Sequence, residues 1–479
     1  MNLQIVVYLL GWVITLESAF MTLPALVGLI YGEKQGIVYI ATAALFAIIG
    51  VLAIIKKPKN MQFFAKEGFA IVGLSWIAMS IIGAVPFCLS GDIPNYVDAL
   101  FEITSGFTTT GASILTDIES LSHATLFWRS FSHWIGGMGV FVFLLIIMPL
   151  VGGYNMHLLR AESPGPTVGK LVPKAKQSAK ILYAIYFSMT FIQFLLLVIA
   201  KMPVFDAICT ALGTAGTGGF GIKGDSMASY SLLIQWIVTV FMILFGVNFN
   251  LYFYILRREF KLAFKMEEVM WYFGIIAGSV LLIFIFIVKS YDSWFKALTD
   301  SAFQVGSIIT TTGFATADFN LWPTLPKVIL VGLMFMGACA GSTGGGLKVS
   351  RYLIFVKAVK QEINTFIHPR SVKSVEMDGK VLDKSTIKSV CVYLCLFAIV
   401  YTGSLFIISF DAPDVTTAFT SVVATINNIG PGLEVVGPAG NFAGFSVLSK
   451  FVFIFDMLAG RLELFPIILL LVPSLWKKH

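Results

Sequence analysis

The feature that most limits what this chain can fold into is a succession of ten apolar stretches: 3–30, 37–55, 69–90, 125–150, 178–200, 231–256, 270–290, 327–357, 386–410 and 447–472. Each approaches or exceeds the length needed to cross a bilayer core, about 20 residues of helix. Backbone inside lipid must satisfy its hydrogen bonds within its own segment, so the fold class expected is an all-α polytopic membrane protein. Composition agrees: 12% of the 479 residues are charged, against about 25% in a soluble globular chain, and the mean hydropathy is +0.87. The opening MNLQIVVYLLGWVITLESAFMTLPALVGLI lacks a basic leader and is too long for a signal-peptide core, so it is expected to be the first membrane helix. Cys88, Cys209, Cys339, Cys391 and Cys395 form no CxxC pair and read as small residues of membrane helices.

Basic residues fall in alternate connections. Lys56, Lys57, Lys59 and Lys66 follow the second stretch; Arg160, Lys170, Lys174, Lys176 and Lys180 follow the fourth; Arg257, Arg258, Lys261 and Lys265 follow the sixth. Nine more lie between Lys348 and Lys388, and the sequence finishes Lys477-Lys478. The intervening connections are acidic, with Asp92, Asp98, Asp117, Glu119, Asp206, Asp225, Asp292, Asp300, Asp318, Asp411 and Asp414. The positive-inside rule then puts both termini in the cytoplasm. The net charge of +7 is thus a topology signal with a contribution from lipid headgroups, and nucleic acid is not an expected partner.

Four of the acidic-side connections share a pattern. Asp98 precedes the last glycine of TTTG, Gly111, by thirteen residues; Asp300 precedes Gly313 by the same interval, and Asp206 precedes Gly219. The fourth copy keeps the offset from Thr417 to Gly430 but reads NNIG. Each copy lies between two apolar stretches, so the repeating unit is helix, half-length pore segment, helix. The expected architecture is two N-terminal helices and four such repeats in pseudo-fourfold arrangement around a central pore. The boundaries are 1–60, 61–160, 161–265, 266–375 and 376–479. A short helix such as 99–108 cannot span, so it must dip in and return. Its return strand would put carbonyls and threonine oxygens on the inside of the bend, and four together could replace a cation's hydration shell.

Gly337-Ala-Cys-Ala-Gly-Ser-Thr-Gly-Gly-Gly346 interrupts the eighth stretch with five glycines, each of which penalises a helix by about 1 kcal/mol. An intramembrane loop is favoured over a helix-packing site. The segment does not fit a nucleotide-binding P-loop. Arg461, deep in the last stretch, requires a partner or a cavity: either an ion pair with Asp456 or Glu463, or the carbonyls of loop 337–346 beneath the pore. Lys348 and Arg351 are expected at that loop's cytoplasmic mouth, and the long basic segment 348–388 is the expected entry point for regulation.

SGFTTTGAS (105–113), HWIGGMGV (133–140), TTTGFAT (310–316), GACAGSTGGGLKVSR (337–351), NNIGPG (427–432) and GRLELF (460–465) together resemble the Trk/Ktr/HKT superfamily of K⁺ transporters, in particular its bacterial TrkH/TrkG branch. The resemblance covers nearly the whole chain, including the two N-terminal helices. It implies a K⁺ uptake channel-like subunit of the bacterial inner membrane, homodimeric, with a cytosolic TrkA-like nucleotide-binding ring as partner. The only bound species expected is the transported K⁺, with no organic cofactor and no enzymatic activity. The filter it implies is Thr109, Thr110 and Gly111; Thr217, Gly218 and Gly219; Thr311, Thr312 and Gly313; Asn428, Ile429 and Gly430. The implied gate is the loop holding Gly337, Gly341, Ser342, Thr343, Gly344, Gly345 and Gly346, with Arg461. Glycine in all four filter positions favours K⁺ over Na⁺, with moderate discrimination. Two alternatives stay open at this point: K⁺ symport coupled to H⁺ or Na⁺, and an Na⁺-permeable channel. The scattered histidines (His123, His133, His157, His368, His479) form no catalytic motif.

Overall fold

The computed structural model describes residues 2–58, 65–151, 175–370 and 374–476, with the backbone alone at 65, 138, 140–151 and 175–179. Lys59, Arg160, Lys170, Lys174, Lys477 and Lys478, and the boundary between the first two repeats, lie outside the described residues.

Among the described residues, six helices are long and apolar enough to cross a membrane: Leu3–Ile30, Gln35–Ile55, Lys66–Ser90, Lys180–Ile199, Glu267–Ser290 and Lys384–Ile408. His123–Val151 matches them in length. The outward faces of these helices carry large apolar residues such as Ile30, Ile48, Leu52, Leu282, Phe286 and Phe406, which only lipid covers at no cost. Leu3–Ile30 and Gln35–Ile55 form an antiparallel pair whose backbones touch at small residues. A Cβ on Gly11 would come within 3.0 Å of the Gly50 carbonyl, and one on Gly28 within 2.8 Å of the Gly36 Cα.

The remaining chain repeats helix, short helix, helix four times. The short helices are Tyr96–Phe107, Val204–Gly216, Trp294–Ile309 and Val415–Ile426; they are called here pore helices 1 to 4. Sequence explains where they begin. The Asn95 side chain accepts hydrogen bonds from the amides of Val97 and Asp98, and Asp414 accepts from the Thr417 amide, filling donors that a helix start leaves unpaired. Asp98 and Asp206 lie in first turns, where a carboxylate meets the positive end of the helix dipole.

The helix that closes each repeat packs on the pore helix of the next: His123–Val151 on pore helix 2, Leu232–Phe245 on pore helix 3, Thr324–Met336 on pore helix 4, and Val447–Arg461 on pore helix 1. The fourth contact returns to the first repeat, so the arrangement is a closed ring.

Three closing helices are broken, one of which the glycine run announced. The stretch 327–357 is helical only over Thr324–Met336 and Val349–Ile367. The stretches 231–256 and 447–472, expected to be continuous, are not. Leu232–Phe245 and Phe249–Leu256 meet at 90°, because Asn248 turns its side chain onto the Asn250 amide and starts a new helix. Val447–Arg461 stops where Glu463 and Leu464 both take positive φ (55° and 67°), and Phe465–Leu470 resumes beyond.

Candidate cation pathway

Each pore helix ends in the same turn. The amides of Thr110, Gly218, Thr312 and Ile429 bond five residues back, to the carbonyls of Ser105 (2.9 Å), Gly213 (2.9 Å), Ser307 (2.8 Å) and Ala424 (2.8 Å). The preceding amides, of Thr109, Thr217, Thr311 and Asn428, bond three back to Gly106, Thr214, Ile308 and Thr425 at 3.0–3.1 Å. This double closure requires a left-handed residue at the helix end. Here that residue is Thr109 (φ 55°), Thr217 (55°), Thr311 (58°) and Asn428 (54°). Non-glycine residues held there cost on the order of 1–3 kcal/mol each, and such strain clusters at functional sites. Two residues on, Gly111 (81°), Gly219 (79°), Gly313 (87°) and Gly430 (99°) also take positive φ.

The four turns meet head to tail. The position of a Cβ on Gly111 is filled by the Gly218 carbonyl, on Gly219 by the Thr312 carbonyl, on Gly313 by the Ile429 carbonyl and on Gly430 by the Thr110 carbonyl, the last at 2.8 Å. Loop 1 thus abuts loop 2, loop 2 loop 3, loop 3 loop 4, and loop 4 loop 1. All twelve expected filter residues are in this ring, with the carbonyls of the four middle residues at its junctions. Pore helices 1 to 4 all end on it, so their negative dipole ends converge there and favour a cation.

The threonine hydroxyls depart from expectation. Rather than pointing inward as a set, several brace the turns: Thr110 Oγ1 bonds Thr108 Oγ1 at 2.8 Å, Thr312 Oγ1 bonds Thr310 Oγ1 at 2.7 Å, and Thr217 Oγ1 donates to the Gly216 carbonyl. Thr108 and Thr310 pass their protons to the carbonyls of Thr104 and Gly306, each at 2.6 Å. That common bracing accounts for the first and third threonines of the run in copies 1 and 3. In copy 4, Asn428 replaces it by donating from Nδ2 to Thr110 Oγ1 (3.0 Å) and to the Met457 carbonyl (2.9 Å).

His133 was not expected at the site. Its imidazole donates from Nδ1 to the Gly106 carbonyl (2.8 Å) and accepts at Nε2 from the Phe220 amide (3.3 Å). It therefore sits neutral between loops 1 and 2, against the face of Gly218. Glu102 and Arg129, both buried, form a second brace. Arg129 pairs with Glu102 at 2.8 Å, donates to the Gly221 carbonyl (3.4 Å) and lies over the Phe220 ring at 4.1 Å. Glu102 also accepts from Ser113 and from the Ile114 amide.

Below the ring lies the non-helical run 337–348. Gly337, Gly341 and Gly346 take positive φ (66°, 67°, 68°). The run reaches up to the ring: the Gly345 amide donates to Thr311 Oγ1 at 2.6 Å, and a Cβ on Gly345 would lie 2.9 Å from the Asn427 carbonyl. A Cβ on Gly344 would meet the Thr310 carbonyl at 3.0 Å. The break at 246–248 exists for this loop. The Cys339 amide bonds the Gly246 carbonyl (3.1 Å), Thr343 Oγ1 donates to the Phe245 carbonyl (3.2 Å), and the Phe249 amide bonds the Gly341 carbonyl (3.1 Å). Ser342 turns inward on the loop, donating to the Cys339 carbonyl at 2.7 Å.

Arg461 donates from Nη1 to the Thr343 carbonyl (2.8 Å) and from Nη2 to the Gly136 carbonyl (2.7 Å). Of the two partners expected for it, the structure brings the loop carbonyls. Glu463 accepts from Arg351, and Asp456 from Ser404. Lys348 is buried and does not face outward as a mouth residue would; its Nζ donates to the carbonyls of Gly344 and Gly345, the latter at 3.3 Å. Two cationic side chains therefore hold the loop under the ring.

The TrkH family model, described as "Cation transport protein", matches residues 35–290 and 256–478. The Trk system potassium uptake protein TrkH of Salmonella typhimurium is 37% identical over 488 residues, covering 100% of both chains. Trk system potassium uptake protein TrkG of Escherichia coli is 32% identical over 99% of both. The crystal structure of the potassium transporter TrkH from Vibrio parahaemolyticus superposes with a TM-score of 0.89 at 32% identity, again over 100% of both chains. Family model, full-length relatives and solved fold agree, and this multi-pass membrane protein belongs to the TrkH family of cation transport proteins.

Proposed function

We propose that the chain is a K⁺ uptake channel-like subunit of a bacterial inner membrane, carrying K⁺ and Rb⁺ along the axis of the four-loop ring. The observation that supports this most is the cyclic contact of each loop's glycine with the next loop's carbonyl. The triplets ending at Gly111, Gly219, Gly313 and Gly430 act as the filter, and loop 337–346 with Arg461 as the gate. Arg461 and Lys348 add positive charge directly below the ring, opposing cation passage while the loop is in place. The termini face the cytoplasm, and the chain works as a homodimer with a cytosolic TrkA-like nucleotide-binding ring. The repeats divide at 60, 160, 265 and 375.

Rb⁺ uptake into vesicles containing the purified protein tests the reading. Gly111→Ser puts a side chain where the Gly218 carbonyl lies and is expected to abolish Rb⁺ selectivity over Na⁺. Arg461→Ala is expected to raise flux; unchanged flux and open probability would sink the gating role. A second reading, K⁺ symport with H⁺, draws on buried carboxyl oxygens of Glu17 and Asp456 that lack hydrogen-bond partners among the described residues. A current reversing at the K⁺ equilibrium potential whatever the pH gradient removes it.

A further inference from the structure

Helix Glu267–Ile287 begins with two consecutive carboxylates that hold different parts of the molecule. Glu268 is buried, and its Oε1 accepts from the Ala340 amide at 2.6 Å and the Ser350 amide at 3.1 Å. It thereby grips both the loop beneath the ring and the first turn of helix Val349–Ile367. Glu267 faces the other way, toward a β-hairpin on the basic side of the protein, Glu376–Met377 paired with Lys380–Val381. The Glu267 amide donates to Asp378 Oδ1 at 2.8 Å, and the Asp378 amide donates back to Glu267 Oε1 at 3.1 Å. Lys357, on the helix that leaves the loop, pairs with Glu267 Oε2 and donates to the Glu376 carbonyl at 2.8 Å.

The hairpin is built as a stiff part. Its turn is Asp378-Gly379, with φ of 53° and 74°, the primed geometry that matches strand twist. Met377 is buried with Ile354 and Val390, which ties the hairpin to helices Val349–Ile367 and Lys384–Ile408. The hairpin and the loop beneath the ring are thus held by adjacent residues at one helix start, Glu267 and Glu268.

We propose that the Glu267-Glu268 pair is a mechanical coupling between this hairpin and the intramembrane loop, so that displacing the hairpin from the start of the helix loosens the loop's hold at Ala340. The proposal rests on the reading of loop 337–346 as the gate. It predicts that removing the Asp378 carboxylate, which lies outside the membrane spans, is felt at Ala340.

Asp378→Gly is the test, since glycine keeps a turn with positive φ while deleting the cap on Glu267. Glu268→Gln, which weakens the grip directly, provides the reference, and the exposed Lys380→Ala the control on the same hairpin. In full-length protein in nanodiscs, amide hydrogen exchange over 338–350 is followed alongside Rb⁺ flux. Asp378→Gly and Glu268→Gln should both speed exchange at Ala340 and Ser350 by about tenfold and raise flux, with Lys380→Ala at the parent rate. Faster exchange with unchanged flux keeps the coupling and removes the gate reading. Exchange within twofold of the parent in Asp378→Gly, whatever Glu268→Gln does, overturns the coupling.

Discussion

At Gly219 the backbone holds φ at 79°, and the space where a Cβ would project is already occupied by the Thr312 carbonyl. Alanine there meets two penalties at once: the left-handed backbone, on the order of 1 kcal/mol or more, and a collision with backbone that has no rotamer to retreat into. Loop 3 must move, and the oxygen it moves is part of the ring. Gly219→Ala is expected to lower K⁺ over Na⁺ discrimination at least several-fold in flux competition, whereas Gly224→Ala, where a Cβ meets nothing within 4 Å, should leave it unchanged. His133 is the residue-scale surprise. Replacing it with Phe keeps the ring shape against Gly218 but strands the Phe220 amide, worth about 1–3 kcal/mol when buried without a partner, and takes from the Gly106 carbonyl one of its two donors, leaving it the Thr109 amide. A thermal-unfolding midpoint in detergent should fall by several degrees, and His133→Gln, which offers one donor and one acceptor, should recover part of it. One histidine in an apolar run carries no local signature, so sequence alone could not place it. The ring glycines were legible because four copies keep one spacing.

Elements show where sequence reading works and where it stops. Pore helices were legible from the thirteen-residue interval, whereas the capping by Asn95 and Asp414 emerged only from the structure. The breaks at 246–248 and 462–464 were hidden because no hydropathy window registers them. Gly246-Val247-Asn248 and Arg461-Leu462-Glu463-Leu464 interrupt apolar runs with too few polar atoms to lower the average, and the reason for each break is a partner segment far away in sequence. The glycine run at 337–346 was legible because it is its own cause. Asp414 gives an element-scale test outside the membrane. Hydrogen bonds from the Thr417 hydroxyl first, then from its amide, hold the Asp414 carboxyl below the usual carboxylate range. A lowered folded-state pKa stabilises above the unfolded value of about 3.9 and loses that contribution as pH falls through the folded value. Asp414→Ala should cost about 1 kcal/mol at pH 7, with the gap to the parent closing as the pH is taken down toward 3. Asp414→Asn, still an acceptor, should keep most of the cap and show no such closing.

Across the whole molecule two acid–base contacts of different kinds lie beside the ring, and their burial decides what each contributes. Lys450, from the last helix of repeat 4, meets Asp98 in pore helix 1 at 2.6 Å, with the aspartate side chain 24% exposed. The Lys450 side chain is 9% exposed, so water reaches the pair from the aspartate side, and removing the lysine leaves a carboxylate that water still solvates, at a cost of about 1 kcal/mol or less. Arg129 and Glu102 are 1% and 0% exposed, and they link repeat 1 to the chain just past the second ring turn at Gly221. Removing one member leaves the other charge buried with no counter-ion, which costs about 3–5 kcal/mol. Arg129→Met is therefore expected to unfold the protein well below the parent midpoint or block its accumulation, while Lys450→Met shifts the midpoint by no more than a degree or two. Glu102→Gln together with Arg129→Met should recover much of the single-variant loss, because no charge is then stranded. If Arg129→Met proved as mild as Lys450→Met, the contact between repeats 1 and 2 would be held by the backbone ring alone. In that case the ring's geometry would have to be self-supporting, with the four head-to-tail turns fixing one another's spacing without help from the charges outside them.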